Sequence, residues 1–196
     1  MRKEFKEAVQ EAKRLNFQID DSAHNFDHTE SVVGLALKIT KEYSEVDPDL
    51  IQVAGWWHDI GRIRNNEEHE RVSAEIARDF LEKMKVEREV CEKVYNAIVF
   101  HRWSMSPETI EGEIIRDADK LDFISIKRWA FCLEDNNMKV LNDISIRLPR
   151  LRDELLHLEI SRKIYDEKIN IFNKFIEKSN HKNLYHLKSK ILNYEK

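Results

Sequence analysis

Apolar side chains recur at intervals of three or four residues along most of the chain, which is the spacing of amphipathic helices. One such stripe consists of Val32, Leu35, Ala36, Ile39 and Tyr43. Another helix is predicted to begin where Asp47 provides a cap and Pro48 the first helical position. No run of alternating apolar and polar residues is long enough to require a sheet. The pattern predicts an all-α fold, a bundle of helices.

The last third of the chain carries the longest stripe. Its apolar positions are Leu151, Leu155, Leu158, Phe172, Phe175 and Ile176. They predict one long carboxy-terminal helix from Pro149 to Ser179. Upstream, a helix containing Asp119 is predicted to continue to about Leu133 and to end before the polar segment 135–137. We therefore expect a core over residues 1–135 and a helical extension over residues 136–196 packed on that core.

The composition agrees with helices joined by short connections. The 196 residues include only four glycines and three prolines, with 36% charged and 41% hydrophobic residues. A net charge of -4 disfavours a dedicated nucleic-acid binder, and hence a nuclease, but is compatible with small anionic ligands. Two cysteines are too few for a disulfide scaffold or a thiolate zinc site. An amphipathic amino terminus and the lack of a long apolar stretch predict a soluble, cytoplasmic protein with no membrane association.

Two adjacent side chains that can bind metal, His58 and Asp59, end an apolar helix that Gly61 is placed to terminate. His28 begins the buried face of an earlier helix. Asp119 falls on the apolar stripe of a later helix, where an unpaired carboxylate would carry a large desolvation cost. A cation would remove that cost. Two imidazoles and two carboxylates at these positions predict a metal site.

The ordered set His28, His58-Asp59 and Asp119 resembles the signature of the HD-domain superfamily of metal-dependent phosphohydrolases. The similarity continues through His69-Glu70, residues 97–101 and residues 109–122, and covers about residues 20 to 130. The pattern resembles the bacterial and archaeal branch that contains small nucleotide pyrophosphatases and many uncharacterised hydrolases. The resemblance implies the helical HD-domain fold, a divalent metal held by these four residues, and hydrolysis of a phosphorylated substrate.

Mixed imidazole and carboxylate ligation suits manganese, iron, cobalt, nickel or zinc, and also admits magnesium. Four protein ligands on one six-coordinate ion leave two positions for water and a substrate oxygen. A second ion bridged by Asp59 is the alternative to a single ion. His69 and His101 could then be its ligands, or they could donate a proton to the leaving group or orient the water. An ordinary structural role is the competing interpretation for both histidines.

Lys120, next to Asp119, is the strongest candidate for a phosphate contact, and a lysine at this position binds substrate phosphate in the family it resembles. Arg62 and Arg102 are further candidates for the same role. Several hydrolases of the superfamily use an acidic residue near the position of Arg62 to orient water. This chain lacks it there, so the sequence leaves the general base unassigned.

Three more residues are expected near this site. Asp122 is expected to orient a metal ligand from behind, with a helix ion pair as the alternative. His24 is expected either at the rim of the site or as a cap of the helix that Asp27 would begin. Tryptophans are more often core residues than stacking platforms. Trp103 is the exception to examine, since it follows His101 closely.

Together these features predict a hydrolase that cleaves a phosphoester or phosphoanhydride bond of a small molecule, with a nucleotide favoured. Three alternatives remain open. One is a di-iron oxygenase of the kind found in the same superfamily, and another is a non-catalytic module that senses a nucleotide or a metal. The third is a nuclease, which the acidic charge balance disfavours. A homo-oligomer is compatible with the sequence.

Overall fold

The computed structural model describes residues 1–65 and 67–192. Within those residues the regular structure is entirely helical, which confirms the predicted fold class. The α-helices are α1 (Lys3–Asn16), α2 (Phe26–Thr40), α3 (Pro48–Trp57), α4 (His69–Lys83), α5 (Arg88–Val99), α6 (Ile110–Leu121), α7 (Ile126–Glu134), α8 (Met138–Arg150), α9 (Glu159–Lys178) and α10 (Tyr185–Leu192). In this part of the chain, no helix combines the length and apolarity needed to cross a membrane.

The core forms where α2 packs against both α3 and α6, and α4 packs against α5 beside them. Ile39, Ile51 and Ile115 are fully buried between these helices. The indole of Trp57 is also buried, and its Nε1–H donates to the carbonyl of Ala8 at 3.1 Å, which joins α1 to the end of α3. The packing fixes the ends of α2, α3 and α6 close together, and those ends carry the predicted metal ligands.

The start of α3 is as predicted, because the Asp47 carboxylate accepts the backbone N–H of Asp49 at 2.8 Å and Pro48 follows it. The start of α2 differs. Asn25, not Asp27, is the cap, and its side-chain oxygen accepts the backbone N–H of His28 at 3.1 Å. Asp27 lies inside the first turn and pairs with Lys127 instead. The earlier cap brings His28 into the first turn of α2.

The helix predicted from Asp119 to Leu133 is interrupted. A 3-10 turn occupies Asp122–Ile124, and the Ser125 hydroxyl accepts from the backbone N–H of Arg128 to begin α7. The interruption turns the Asp122 side chain towards α2, where its carboxylate meets Ser31 and His28.

The long helix predicted over residues 149–179 is split as well. Helix α8 contains Pro149 and runs into a π-helical segment, Leu151–Leu155, and α9 begins only at Glu159. The break follows from a distant contact: the buried Asp117 carboxylate on α6 accepts the backbone N–H groups of His157 at 3.0 Å and Leu158 at 2.8 Å. These two N–H groups would otherwise donate within a continuous helix. The remaining helix α9, with 20 residues, is still the longest of those described.

Candidate metal centre

The four predicted metal ligands lie close together in the structure, and all are buried. His28 comes from the first turn of α2, His58 and Asp59 directly follow α3, and Asp119 lies in the last turn of α6. His28 Nε2 lies 3.6 Å from Asp59 Oδ2 and 3.5 Å from Asp119 Oδ1. His58 Nε2 lies 3.6 Å from Asp59 Oδ2. Residues from three separate helices are thus within reach of one ion.

Three atoms of this cluster that could bind a metal are buried and have no hydrogen-bond partner among the described residues: Nε2 of His28, Nε2 of His58 and Oδ1 of Asp59. Orphaned polar atoms in a protein interior are costly and require an explanation. His28, His58 and Asp119 each offer an atom within 4.8 Å of the other two. Two imidazole nitrogens and carboxylate oxygens form a donor set that fits a divalent transition metal. The residues present therefore fit a bound ion.

Backbone carbonyls determine which nitrogen of two histidines faces the cluster. The carbonyl of Gly55 lies 2.8 Å from Nδ1 of His58, and the carbonyl of Ile98 lies 2.6 Å from Nδ1 of His101. A carbonyl only accepts, so each Nδ1 must carry the proton. In the neutral ring, the lone pair is then on Nε2, the atom that points into the cluster.

His28 is oriented by a carboxylate instead. Its Nδ1 lies 2.7 Å from Asp122 Oδ2, and Asp122 is itself held by the Ser31 hydroxyl at 2.6 Å and by Arg128 Nη1 at 3.5 Å. This is the geometry of a residue that orients a metal-binding histidine from behind. The alternative predicted for Asp122, a local ion pair within its own helix, does not describe its contacts with α2.

Each buried carboxylate lies against one cation. Burial opposes ionisation of Asp59, but the neighbouring Arg62 holds its pKa well below the usual range. Burial also opposes ionisation of Asp119, but the charge of Lys120 holds the pKa of this carboxyl well below its usual range.

Burial lowers the pKa of His58 and, more strongly, that of His101. Burial and the nearby charge of Arg128 act in the same direction on His28, but the carboxylates of Asp122 and Asp59 instead raise its pKa. The cluster therefore contains charged carboxylates and two imidazoles, His58 and His101, that stay neutral, which is the protonation state that metal binding needs.

A second group of possible ligands adjoins the first. His69, Glu70 and His101 offer atoms within 4.8 Å of one another, and so do His58, Asp59 and His101. Asp59 Oδ1 lies 3.3 Å from His69 Nε2 and 3.8 Å from His101 Nε2. Asp59 thus lies against residues of both groups. Arg62 donates to His69 Nε2 at 2.9 Å and occupies that lone pair.

A cavity of about 330 Å³ opens beside this cluster. His69, His101 and Asp119 line its inner side. Five cationic side chains also line it: Arg62, Arg102, Lys120, Arg128 and Arg147. One wall is formed by α8, which lies in the part of the chain where no sequence motif indicates a function.

The three predicted phosphate contacts all line the cavity, and each is paired with protein groups. Lys120 is buried. Its ammonium group donates hydrogen bonds to the Asp119 carboxylate and, at 3.1 Å, to the carbonyl of His101. Arg62 Nε lies 2.9 Å from Asp59 Oδ1, although that contact lacks hydrogen-bond geometry. Arg102 Nε donates to Glu70 at 2.5 Å. Each of the three cations is therefore held in place at the wall of the cavity.

Glu70 is a residue of the site to which the sequence analysis assigned no role. It is buried, lines the cavity, and its Oε1 lies 3.4 Å from His69 Nε2. Its sequence signal is its place directly after His69, in a stretch that is similar to the family. Glu70 supplies the cavity with an acidic side chain, whereas Arg62 occupies the position at which the resemblance led us to look for one.

His24 lies at the rim of the cavity and does not cap α2. Its Nδ1 lies 2.6 Å from Asp21 Oδ2, and Arg128 donates to its Nε2 at 3.1 Å. Burial, with the nearby charge of Arg62, lowers its pKa to about 3. His24 is therefore a neutral residue that positions Arg128.

Gly61 does not end α3 as predicted, since α3 stops at Trp57 and Gly61 lies in a following 3-10 turn, Ile60–Ile63. Gly61 instead allows the backbone of α4 to approach this turn closely. A Cβ atom at Gly61 would lie 2.3 Å from the backbone oxygen of His69 and 2.8 Å from the backbone nitrogen of Ser73. Only glycine lets α4 pack this near to Asp59, and this packing brings His69 to the cluster.

Known structures share this fold over most of its length. A predicted HD superfamily hydrolase from an uncultured Thermotogales bacterium superposes with a TM-score of 0.68 at 24% identity, covering 88% of each chain. Bacillus subtilis YpgQ in complex with ADP gives a TM-score of 0.67 at 20% identity, covering 89% of this chain and 94% of YpgQ. The Lin1889 protein from Listeria innocua gives 0.63 at 22% identity, covering 88% and 93%. At these identities the likeness establishes the fold alone.

A search of curated proteins found no match. The sequence model of the HD domain family, however, matches residues 25–124, which is just over half of the chain. The matched range contains His28, His58, Asp59 and Asp119, whose side chains lie close together in the structure. The chain therefore belongs to the HD domain family.

Proposed function

We propose that this protein is a metal-dependent phosphohydrolase that cleaves a phosphoester or phosphoanhydride bond of a small molecule, with a nucleotide favoured. We assign His28, His58, Asp59 and Asp119 as the ligands of one divalent ion. The observation that carries the proposal is that orphaned, buried ligand atoms adjoin a cavity lined by five cationic side chains. Positive charge beside a metal centre is what a phosphorylated substrate requires.

A divalent ion held there would supply an activated water and polarise a phosphoryl oxygen. The chain's own residues perform the remaining tasks. Asp122, Gly55 and Ile98 hold the Nδ1 protons of His28, His58 and His101, so that the Nε2 atoms stay aligned with the centre. Lys120 and Arg62, beside the two ligand carboxylates, bind phosphoryl oxygens.

Orientation of the water and delivery of a proton are assigned to the second group of side chains. The pKa of His101 lies well below its usual range because of burial, so its ring is neutral and its Nε2 lone pair can orient a water by accepting a hydrogen bond from it. We assign delivery of a proton to the leaving group to His69 and Glu70, which both line the cavity. Arg102 orients the Glu70 carboxylate, which is a positioning role in addition to the phosphate contact predicted for it.

A nucleotide substrate is supported by the fold relative YpgQ, which was crystallised in complex with ADP. The cavity, at about 330 Å³, lies at the small end of the range of ligand pockets.

We further propose that the chain divides at residue 135 into an HD core and an extension over residues 136–196 packed on that core. Helix α8 of this extension closes one side of the active site. Residues 193–196 of the extension lie outside the described residues.

The test is a panel of nucleotides assayed with manganese, magnesium, cobalt and zinc, with release of phosphate and pyrophosphate measured separately. His101→Gln and His69→Gln should depress turnover while the far-ultraviolet circular dichroism and thermal unfolding stay near those of the wild type. Full activity in both variants would remove these histidines from the mechanism. No turnover of any phosphorylated compound, under any metal, would contradict the proposed activity.

One observation favours a second candidate. The overlapping ligand groups that share His58 and His101 leave room for two ions, as in the di-iron oxygenase alternative. Metal analysis, together with oxygen consumption by the iron-loaded protein, separates the two functions. Two irons per chain with oxygen-dependent turnover would favour an oxygenase. Nucleotide binding without any turnover would instead favour a sensing module.

A further inference from the structure

The cations of the cavity differ in how their charge is balanced. Arg62, Lys120, Arg102 and Arg128 each lie against a carboxylate, those of Asp59, Asp119, Glu70 and Asp122 respectively. Arg147 on α8 is the exception. Among the described residues it has no carboxylate partner, and its one hydrogen bond goes to the backbone oxygen of Asp143, one turn earlier. Its guanidinium plane is therefore the least committed of the five.

Arg147 lies against an exposed aromatic ring. Its guanidinium carbon is 5.1 Å from the centroid of the Trp103 ring, and both residues line the cavity. Trp103 is 44% exposed, whereas Trp56, Trp57 and Trp129 are buried. A large indole left open at the mouth of a cavity contributes little to the stability of the fold, and it offers an apolar face to a ligand.

The loop that carries Trp103 is anchored. Arg116, which is buried, donates to the backbone oxygen of Trp103 at 3.3 Å and to that of Leu155 at 2.6 Å. Trp103 also follows His101 by two residues, so their Cα atoms are at most about 7 Å apart. The ring of His101 packs 5.1 Å from that of His58. The anchored backbone of Trp103 therefore lies within the span of one nucleotide from His101, and both side chains line the same cavity.

We propose that Trp103 and Arg147 form a base-binding subsite, in which the planar base of a nucleotide stacks on the indole and guanidinium while its phosphates point to the metal centre. This inference rests on the proposed function for the phosphate end of the substrate. Indole and guanidinium planes both stack on bases with little preference for base identity. The pair therefore selects nucleotides over phosphorylated compounds without a ring, and it admits more than one base.

The exposure of the four tryptophans allows a direct binding test. Because only Trp103 is open to solvent, quenching of the fluorescence by acrylamide reports mainly on this residue. In the manganese-loaded protein, ADP, GDP, CDP and UDP are each compared with inorganic pyrophosphate, which has the same phosphate chain but no base. At least one nucleotide should protect Trp103 from acrylamide, and pyrophosphate should not. Protection by none of them, with binding confirmed by calorimetry, would overturn the proposal.

Variants assign the effect to the two side chains. Trp103→Leu and Arg147→Met should each weaken binding of the protecting nucleotide roughly fivefold to a hundredfold and leave the affinity for pyrophosphate unchanged. Trp103→Phe keeps an aromatic face and should retain most of the affinity. Lys139→Met is the matched control, since it removes an exposed positive charge from the same helix outside the cavity.

The outcomes separate this subsite from the proposed activity. If the protein hydrolyses phosphorylated compounds but no nucleotide protects Trp103, the phosphohydrolase assignment stands and the subsite is refuted. Protection of Trp103 without turnover would keep the subsite and contradict the hydrolase. Equal losses for ADP and pyrophosphate in Arg147→Met would make Arg147 a phosphate ligand and refute its stacking role.

Discussion

Replacing Asp122 by asparagine removes a negative charge from behind His28 while keeping the shape of the side chain. Asp122 Oδ2 accepts from His28 Nδ1 at 2.7 Å, and its Oδ1 accepts from the Ser31 hydroxyl at 2.6 Å. In Asp122→Asn the amide oxygen can accept from His28 Nδ1, and the amide nitrogen can donate to the Ser31 hydroxyl. Because both hydrogen bonds and the packing are kept, the variant tests the loss of charge alone.

The charge matters because it increases the basicity of the imidazole that faces the metal centre. Loss of such an orienting partner costs about tenfold to a hundredfold in metal affinity, or about 1.4 to 2.8 kcal/mol. Asp122→Asn should lie near the lower figure. Asp122→Ala should lie near the upper one, since it also releases the ring of His28 and leaves Arg128 without its carboxylate.

The measurement is calorimetric titration of manganese into protein stripped of metal by a chelator. Ser31→Ala is the matched control, because it removes one contact of Asp122 and leaves the charge in place. Circular dichroism of the stripped proteins checks that each variant is folded. Equal manganese affinity in the wild type, Asp122→Asn and Asp122→Ala would show that Asp122 has only a packing role and would refute the reasoning.

Three further predictions follow from the contacts of the site. Asp59→Ala should release the ion, because Asp59 adjoins both histidine ligands; elemental analysis that finds wild-type metal content would remove it from the ligand set. Lys120→Met should keep the metal and lower the catalytic efficiency about tenfold to a hundredfold, since it removes a charge-assisted contact; unchanged steady-state kinetics would exclude it from the site. Gly61→Ala should lower the unfolding free energy by about 1 to 3 kcal/mol, because its Cβ would clash with the backbone of α4. Denaturant unfolding measures that loss, and the control Gly34→Ala should gain about 0.5 to 1 kcal/mol, since nothing lies within 4 Å of the added carbon; a loss at Gly34 comparable to that at Gly61 would contradict the explanation.

The sequence was sufficient to identify ionisable side chains that lie on otherwise apolar helix faces or at their ends. His58 and Asp59 form a polar pair at the end of an apolar helix, and His28 and Asp119 fall on apolar stripes. An ionisable group on a buried face is costly, so its position on an apolar stripe is enough to indicate a site. The structure brings these four side chains together, and the same reasoning correctly predicted the all-α fold.

The parts that sequence reasoning missed depend on contacts between distant segments. The carboxylate of Asp117 breaks the predicted helix by accepting N–H groups 40 and 41 residues away. A periodic pattern carries no information about such a partner. Glu70 and Arg147 were given no role for a related reason, since a charged residue on a helix is ordinarily solvated and only the packing of α4 and α8 turns these two into the cavity.

The ion pairs of the cavity connect metal binding to anion binding. Arg62 and Lys120 lie against Asp59 and Asp119, the two carboxylates assigned to the ion. Without an ion, each cation neutralises one carboxylate. A divalent ion would balance both carboxylates by itself, and the two cations would then contribute a net positive charge to the cavity. Phosphate affinity should therefore depend on prior occupation of the metal centre, because the side chains that attract the anion are otherwise engaged in neutralising the ligand carboxylates.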